Sequence, residues 1–469
     1  MARTSRRPPP DYEARFARVC QGLQENLPDM EEPDLHFDEN YFPINDERAQ
    51  RIGQALHGNT VVTRLRVHVK AMTLGGTAEI AQFIVESPKL EEIYLTVGHV
   101  DRNERTAVVD RFLEAAAING KIRKLEVPEL FGALPFANCL RGNRNTLVCL
   151  RLELVGIQDA VITQEMLDEA EAVAAAIGSL PLLEDLKLCE NNTPYLVVPI
   201  LTHLVDHPSL QELHLNQFGS NSTAVVAPSI RNLLQSSMPL QVFDYDTMIK
   251  QSVYDTTTID RAPILKGFDA VFAGLLGHTT LRKLRLVCHE KDEADASVPL
   301  IVDLLHNNES LKKLSFSCCD LLGFSKIIEA LGTNTTLEKL KVHIWNVIDG
   351  FEEESRRLAT LLPLVKSLQT LTLSCSMASD DTLSLDFLLG FERNSSLTDI
   401  CVQEFCHNEE AKDTLEYYAN RNKFAPLVAN ASKAEMSTIL AAAYEHEHGL
   451  AVAFGAFRER VDIFEESLG

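Results

Sequence analysis

Apolar residues recur along this chain in triplets spaced three and then two residues apart. The copies are Val62-Leu65-Val67, Leu90-Ile93-Leu95, Ile122-Leu125-Val127, Leu147-Leu150-Leu152, Leu183-Leu186-Leu188 and Leu210-Leu213-Leu215. They continue as Leu240-Phe243-Tyr245, Leu281-Leu284-Leu286, Leu311-Leu314-Phe316, Leu337-Leu340-Val342, Leu368-Leu371-Leu373 and Leu397-Ile400-Val402. Within each copy the last two apolar positions enclose one polar residue, the period of a short strand with one buried face. Between copies the apolar spacing changes to three and four, as in Ser297 to Asn307 and Phe324 to Gly332, which predicts helices.

Successive triplets begin 25 to 41 residues apart, enough for a strand, a turn and a full helix. One such unit cannot bury its apolar face alone, but stacked units share a core that grows in one dimension. The expected fold is therefore an α/β horseshoe solenoid, with a parallel β-sheet on the concave face and α-helices on the convex face. Two longer intervals, Leu147 to Leu183 and Leu240 to Leu281, mark insertions, the second polar and β-branched from Thr247 to Pro263. They are expected as rim loops, either carrying partner contacts or serving as tolerated surface insertions.

The end units of a solenoid must cover an apolar cross-section. Residues 1–10 read as a disordered basic, proline-rich tail. Residues 11–60 read as an N-terminal helical cap: Asp11 is placed to cap a helix carrying Tyr12, Phe16, Val19, Leu23 and Leu27 on one face, before a degenerate strand at Leu35-His36-Phe37 and a helix around Ile52 to Leu56. The repeat array occupies 61–407. Residues 408–469 read as a C-terminal helical cap, from Leu415-Tyr418, Met436-Ile439-Leu440 and Leu450-Phe454-Phe457-Val461-Phe464.

The triplet array resembles the ribonuclease-inhibitor-like leucine-rich-repeat superfamily. It departs from shorter repeats of that kind in mostly lacking Asn or Cys three residues after the last strand leucine. The tail, Leu415-Glu416-Tyr417-Tyr418-Ala419-Asn420-Arg421-Asn422 with Gly449 to Phe454 and Phe457-Arg458-Glu459, resembles the C-terminal region of an uncharacterised repeat family of diatoms and related algae. The resemblance implies a protein-binding scaffold with an unspecified ligand.

Charge narrows the partners. With 67 acidic against 44 basic residues the chain carries a formal charge of -23, which opposes bulk attraction to nucleic acid or anionic lipid. No apolar stretch reaches the length of a signal peptide or membrane span, so a cytoplasmic protein is expected, with a nuclear location as the alternative. The ten cysteines lack the spacing of a disulfide framework, which fits free thiols. Six Asn-x-Ser/Thr sequons occur at Asn191, Asn221, Asn308, Asn334, Asn394 and Asn430. Three of them, Asn308, Asn334 and Asn394, fall at one turn of the repeat, where turn chemistry accounts for them without a glycan.

Signals for catalysis are weak. His446-Glu447-His448 lacks the i, i+4 histidine pair of a helical metal site, and Cys401, Cys406 and His407 lack a fourth ligand. Cys288, Cys318 and Cys375 occupy inward strand positions and read as core thiols. No phosphate loop, nucleophile elbow or paired-carboxylate motif is present, so no catalytic residue, cofactor or metal is assigned. By analogy with repeat proteins that activate small GTPases, a regulatory role would need a rim arginine; Arg102 and Arg105, expected in the loop after Leu95, are the candidates. A structural repeat without a specific partner is the third reading.

The polar residues flanking the strand apolars should form the concave floor. They are mixed at first (Arg64, Arg66, His68, Glu92, Tyr94, Lys124, Glu126), then acidic or neutral (Asp185, Glu212, His214, Asp244, Asp246). They then become basic at Lys283, Arg285, Lys313, Lys339, Lys341 and His343. That stripe is either the contact surface for an acidic protein partner or the polar face any amphipathic sheet shows. The expected function is non-catalytic protein binding through the concave face and rim loops, with the oligomeric state left open.

Overall fold

The computed structural model describes residues 12–27, 46–69, 73–97, 102–127, 133–155, 162–191, 193–216, 220–247, 262–288, 291–318, 320–344, 351–375, 385–403, 409–430 and 436–444. The chain divides into two compact units, Met1–Leu240 and Gln241–Gly469.

The first unit opens with helices α1 (Tyr12–Gln24) and α2 (Asp46–Leu56), which pack together. Six strands follow: β1 (Arg64–Val69), β2 (Glu92–Val97), β3 (Lys124–Val127), β4 (Cys149–Val155), β5 (Asp185–Asn191) and β6 (Glu212–Asn216). A helix follows each: α3 (Leu74–Glu86), α4 (Arg102–Asn119), α5 (Ala133–Gly142), α6 (Gln164–Gly178), α7 (Pro194–His203) and α8 (Ser220–Leu234). The strands pair in parallel in chain order. The middle apolar of each triplet sets the register, since Leu65, Ile93, Leu125, Leu150, Leu186 and Leu213 stand opposite one another in turn.

The second unit repeats the plan. Its strands are β7 (Val242–Thr247), β8 (Lys283–Cys288), β9 (Lys313–Cys318), β10 (Lys339–Ile344), β11 (Thr370–Cys375) and β12 (Asp399–Gln403). Its helices are α9 (Ala262–Leu275), α10 (Lys291–Asn307), α11 (Leu321–Leu331), α12 (Phe351–Leu361), α13 (Leu385–Arg393), α14 (Glu409–Asn430) and α15 (Met436–Tyr444). Here Phe243, Leu284, Leu314, Leu340, Leu371 and Ile400 form the aligned row of a parallel sheet. Helices also stack on their chain neighbours, closely enough in places to require glycine: a Cβ on Gly390 would stand 2.9 Å from the Cα of Ala359, so α13 meets α12 backbone to backbone. Each unit is thus a stack of strand–helix repeats with a strand layer and a helix layer.

All three apolar residues are buried in each of the first eleven triplets, which is why the pattern is strict there. In the twelfth, Leu397 is buried but Ile400 is only half-buried; among the described residues no further strand follows β12 to cover it. At the front, Phe16 and Leu23 are buried, but Leu27 is exposed. It lies past the end of α1, where Asn26 takes a left-handed backbone (φ 53°) that turns the chain away from the helical face.

One polar residue recurs with the triplets. Asn59, Asn119, Asn308, Asn334 and Asn394 each stand three residues before a first apolar position. Asn334 is representative: its Oδ1 accepts from the backbone N–H of Thr336 (3.0 Å) and Leu337 (2.8 Å), and its Nδ2 donates to the carbonyl of Leu305 in the preceding repeat (2.8 Å). At Asn308 and Asn394, too, the amide nitrogen that a glycan would need is already donating inside the protein. Turn chemistry is therefore the structural role of these three sequons.

Several expectations fall outside the described residues: the basic tail, the strand at Leu35-His36-Phe37, most of the insertion after Thr247, Cys406, His407, His446 to His448 and the segment from Leu450 to Phe464. The side chains of Cys288, Cys318 and Cys375 are likewise undescribed. Other residues at the same strand position, Leu154 and Ile344, are buried.

Candidate functional site

Period-2 alternation turns the triplet residues into the core and their polar neighbours onto the open face of the strand layer. In the first unit that face is largely self-neutralised. Arg64 Nε donates to Glu92 Oε2 at 2.6 Å, Tyr94 donates its hydroxyl to the same oxygen at 2.7 Å, and Lys124 stands 3.3 Å from Oε1. Burial alone would raise the Glu92 pKa, but these donors and cations outweigh it, so the carboxyl titrates below its ordinary value. Burial, then Glu92, pushes the Tyr94 hydroxyl up to about 12. Arg64 and Arg66 also lie over the Tyr94 ring. Further along, Arg151 faces Glu126 at 3.7 Å.

In the second unit all six residues of the expected basic stripe lie on adjacent strands. Lys283, Lys313 and Lys339 form one cross-strand row, and Arg285 and Lys341 flank Ser315 in the next. The stripe is narrower than the sequence suggests, because β7 brings acids alongside it. Lys283 stands 4.0 Å from Asp244, and Arg285 3.6 Å from Asp246. His343 is half-buried, with Nδ1 2.9 Å from Ser374 Oγ. Lys313, Lys339 and Lys341 remain exposed on the face, and among the described residues none of the three has a carboxylate within 4.0 Å. The acidic side is bounded by Asp244 and Asp246, and the far side by the neutral Thr370 and Thr372 on β11. The charged centre of the face is thus a cluster of three lysines on β9 and β10.

Two other candidates change position. Arg102 and Arg105 belong to α4 and not to a loop, because the helix begins directly at Arg102. Cys401 lies on β12, in a cleft of about 720 Å³ lined also by Asp399, Leu415, Glu416 and Asn420 of the β12–α14 edge. No helix among the described residues is long and apolar enough to cross a membrane.

Two features escaped the sequence reading. Cys149, Arg151 and Lys187 also occupy the open face of β4 and β5, and could have been found by reading outward positions off the fourth and fifth triplets. Asp185, Glu212 and His214 converge so that one ligand atom from each lies within 4.8 Å of the others. Laying aligned triplets side by side puts Asp185 against Glu212 and Lys187 against His214; the convergence itself needs side-chain directions that sequence does not carry. No family model matches this chain, and neither does any curated protein.

Proposed function

We propose that this chain is a ribonuclease-inhibitor-like leucine-rich-repeat scaffold that binds an acidic protein partner without catalysing a reaction, with Lys313, Lys339 and Lys341 as the charged centre of the contact. The observation that carries the reading is that, among the described residues, none of these three lysines has a carboxylate within 4.0 Å, whereas Lys283 and Arg285 in the same unit, and Arg64, Lys124 and Arg151 in the first, each do. Lys339 stands directly across from Lys313, and Lys341 is two residues along the same strand, on the same side. Like charges ~6 Å apart in water repel by about 0.7 kcal/mol per pair, and carboxylates of a partner relieve that cost. The principal effect is on association rate and salt sensitivity, since exposed charges steer encounter more than they add affinity.

The test compares wild-type protein with the triple reversal Lys313→Glu, Lys339→Glu, Lys341→Glu. A partner captured by the wild type is measured for association rate across a salt series. The reversal is expected to slow association at least about tenfold and to flatten its salt dependence. Equal rates and slopes for the two proteins remove the lysine cluster from the contact.

A further inference from the structure

The open face of the first unit carries a second cluster with a different chemistry. Strands β4, β5 and β6 place Cys149, Asp185 and Glu212 in one cross-strand row, and Arg151, Lys187 and His214 in the next. His214 Nε2 points between the two carboxylates, 3.7 Å from Asp185 Oδ1 and 3.4 Å from Glu212 Oε2. Asp185 Oδ1 is shielded from solvent and has no hydrogen-bond donor among the described residues, although the side chain as a whole is 24 % exposed. Its other oxygen, Oδ2, accepts from the Cys149 thiol at 3.2 Å. A shielded anionic oxygen without a donor is costly, and His214 Nε2, at 3.7 Å, is too distant for a hydrogen bond.

A cation seated between the three groups resolves that arrangement. Donors ~2.0 to 2.1 Å from a tetrahedral zinc ion lie ~3.3 to 3.4 Å from one another; His214 Nε2 stands 3.4 and 3.7 Å from the two carboxylates, and one ligand atom from each of the three groups lies within 4.8 Å of the others. The donor set selects the metal. An imidazole nitrogen with two carboxylates suits zinc and its transition-metal neighbours, whereas calcium takes six to eight oxygens and magnesium an oxygen octahedron. Two carboxylates and a neutral imidazole balance the charge of a divalent ion. The Cys149 thiol, donating to Asp185, supports a ligand without being one, as outer-shell groups commonly do. Arg151 and Lys187 in the adjacent row offset part of the carboxylate charge, so the site is weaker than a buried structural zinc centre.

We propose that Asp185, Glu212 and His214 form a zinc-class metal site on the strand face of the first unit, with three protein ligands and a fourth position open to water or to a ligand atom of a bound molecule. The test titrates the purified full chain with ZnCl2 against a chromophoric chelator and records the visible spectrum with CoCl2. One high-affinity equivalent is expected, with a cobalt spectrum free of thiolate charge-transfer bands. His214→Ala and Glu212→Gln should each weaken uptake at least about tenfold with unchanged far-UV circular dichroism. Should His214→Ala fail to fold, Glu212→Gln and Asp185→Asn decide. Cys149→Ser should keep the site and weaken it less than either ligand change. Uptake unaffected by the ligand substitutions, or a thiolate-to-cobalt band that survives them, overturns the proposal by placing the metal on cysteines elsewhere.

Discussion

The side-chain amide of Asn394 donates to the carbonyl of Leu362, thirty-two residues earlier, at 2.7 Å. The same nitrogen reaches Val365 (3.1 Å), while Oδ1 accepts from the backbone N–H of Ser396 and Leu397, both at 2.9 Å. Its own carbonyl accepts from Asn422 (3.0 Å) and Arg421 (2.9 Å) on α14. One fully buried residue therefore ties a repeat backward to the preceding helix end and forward to the helix that follows the last strand. Helix C-termini leave carbonyls without partners, and the asparagine supplies donors one repeat later.

Replacing Asn394 by Ala should lower stability by at least about 2 kcal/mol, because each buried group left unsatisfied costs ~1 to 3 kcal/mol. Asn394→Asp should be worse at neutral pH: it keeps the acceptor toward Leu397 but cannot donate to Leu362, and it buries a charge. Ser395→Ala, at the exposed neighbour, serves as the control and should stay within ~0.5 kcal/mol of wild type. Urea unfolding of the three variants measures the differences, and an Asn394→Ala loss equal to that of the control would show that the ladder is ornamental.

Leu314 sits in the middle row of the second unit's sheet, opposite Leu284 and Leu340, and is 2 % exposed. Leu314→Ala should cost ~2 to 5 kcal/mol through lost transfer free energy and the cavity left behind. A shift in urea midpoint corresponding to less than ~1 kcal/mol would mean that neighbouring repeats collapse into the space.

These two positions mark what was legible in the sequence. Leu314 belongs to a triplet whose period dictates both its burial and its register, so strand order and the aligned core rows follow from spacing alone. Asn394 was legible as a turn residue, but not as a link between repeats, since the carbonyls it serves lie a full repeat away. The basic stripe was legible residue by residue, yet its extent was not. Asp244 and Asp246 appear in the sequence as a separate acidic stretch, and only pairing of β7 with β8 shows that they neutralise Lys283 and Arg285. Arg102 was misplaced in a loop because the start of α4 is strongly polar, Arg-Asn-Glu-Arg, with its buried apolar residues from Val108 onward.

His207 occupies the position held by asparagine in other repeats, three residues before Leu210, and is 2 % exposed. Burial of the imidazole lowers its pKa below the ordinary histidine value, against a smaller opposing pull from the Leu180 backbone. The native state therefore binds fewer protons than the unfolded chain as pH falls below about 6.5. The sign follows: the stability associated with neutral His207 is complete above the unfolded pKa and is lost as pH falls toward the lower, folded value. His278, three residues before Leu281, also has its pKa lowered by burial, so the wild type should carry two such contributions to its acid limb. His207→Asn restores the residue found at Asn308, Asn334 and Asn394 and removes one of them. The urea midpoint of the variant should consequently fall less between pH 7.5 and pH 5.5 than that of the wild type, and the double change with His278→Asn should flatten the profile further. Parallel pH profiles for all three proteins would show that these imidazoles take up no differential proton on unfolding, and that the acid limb belongs to the carboxylates instead.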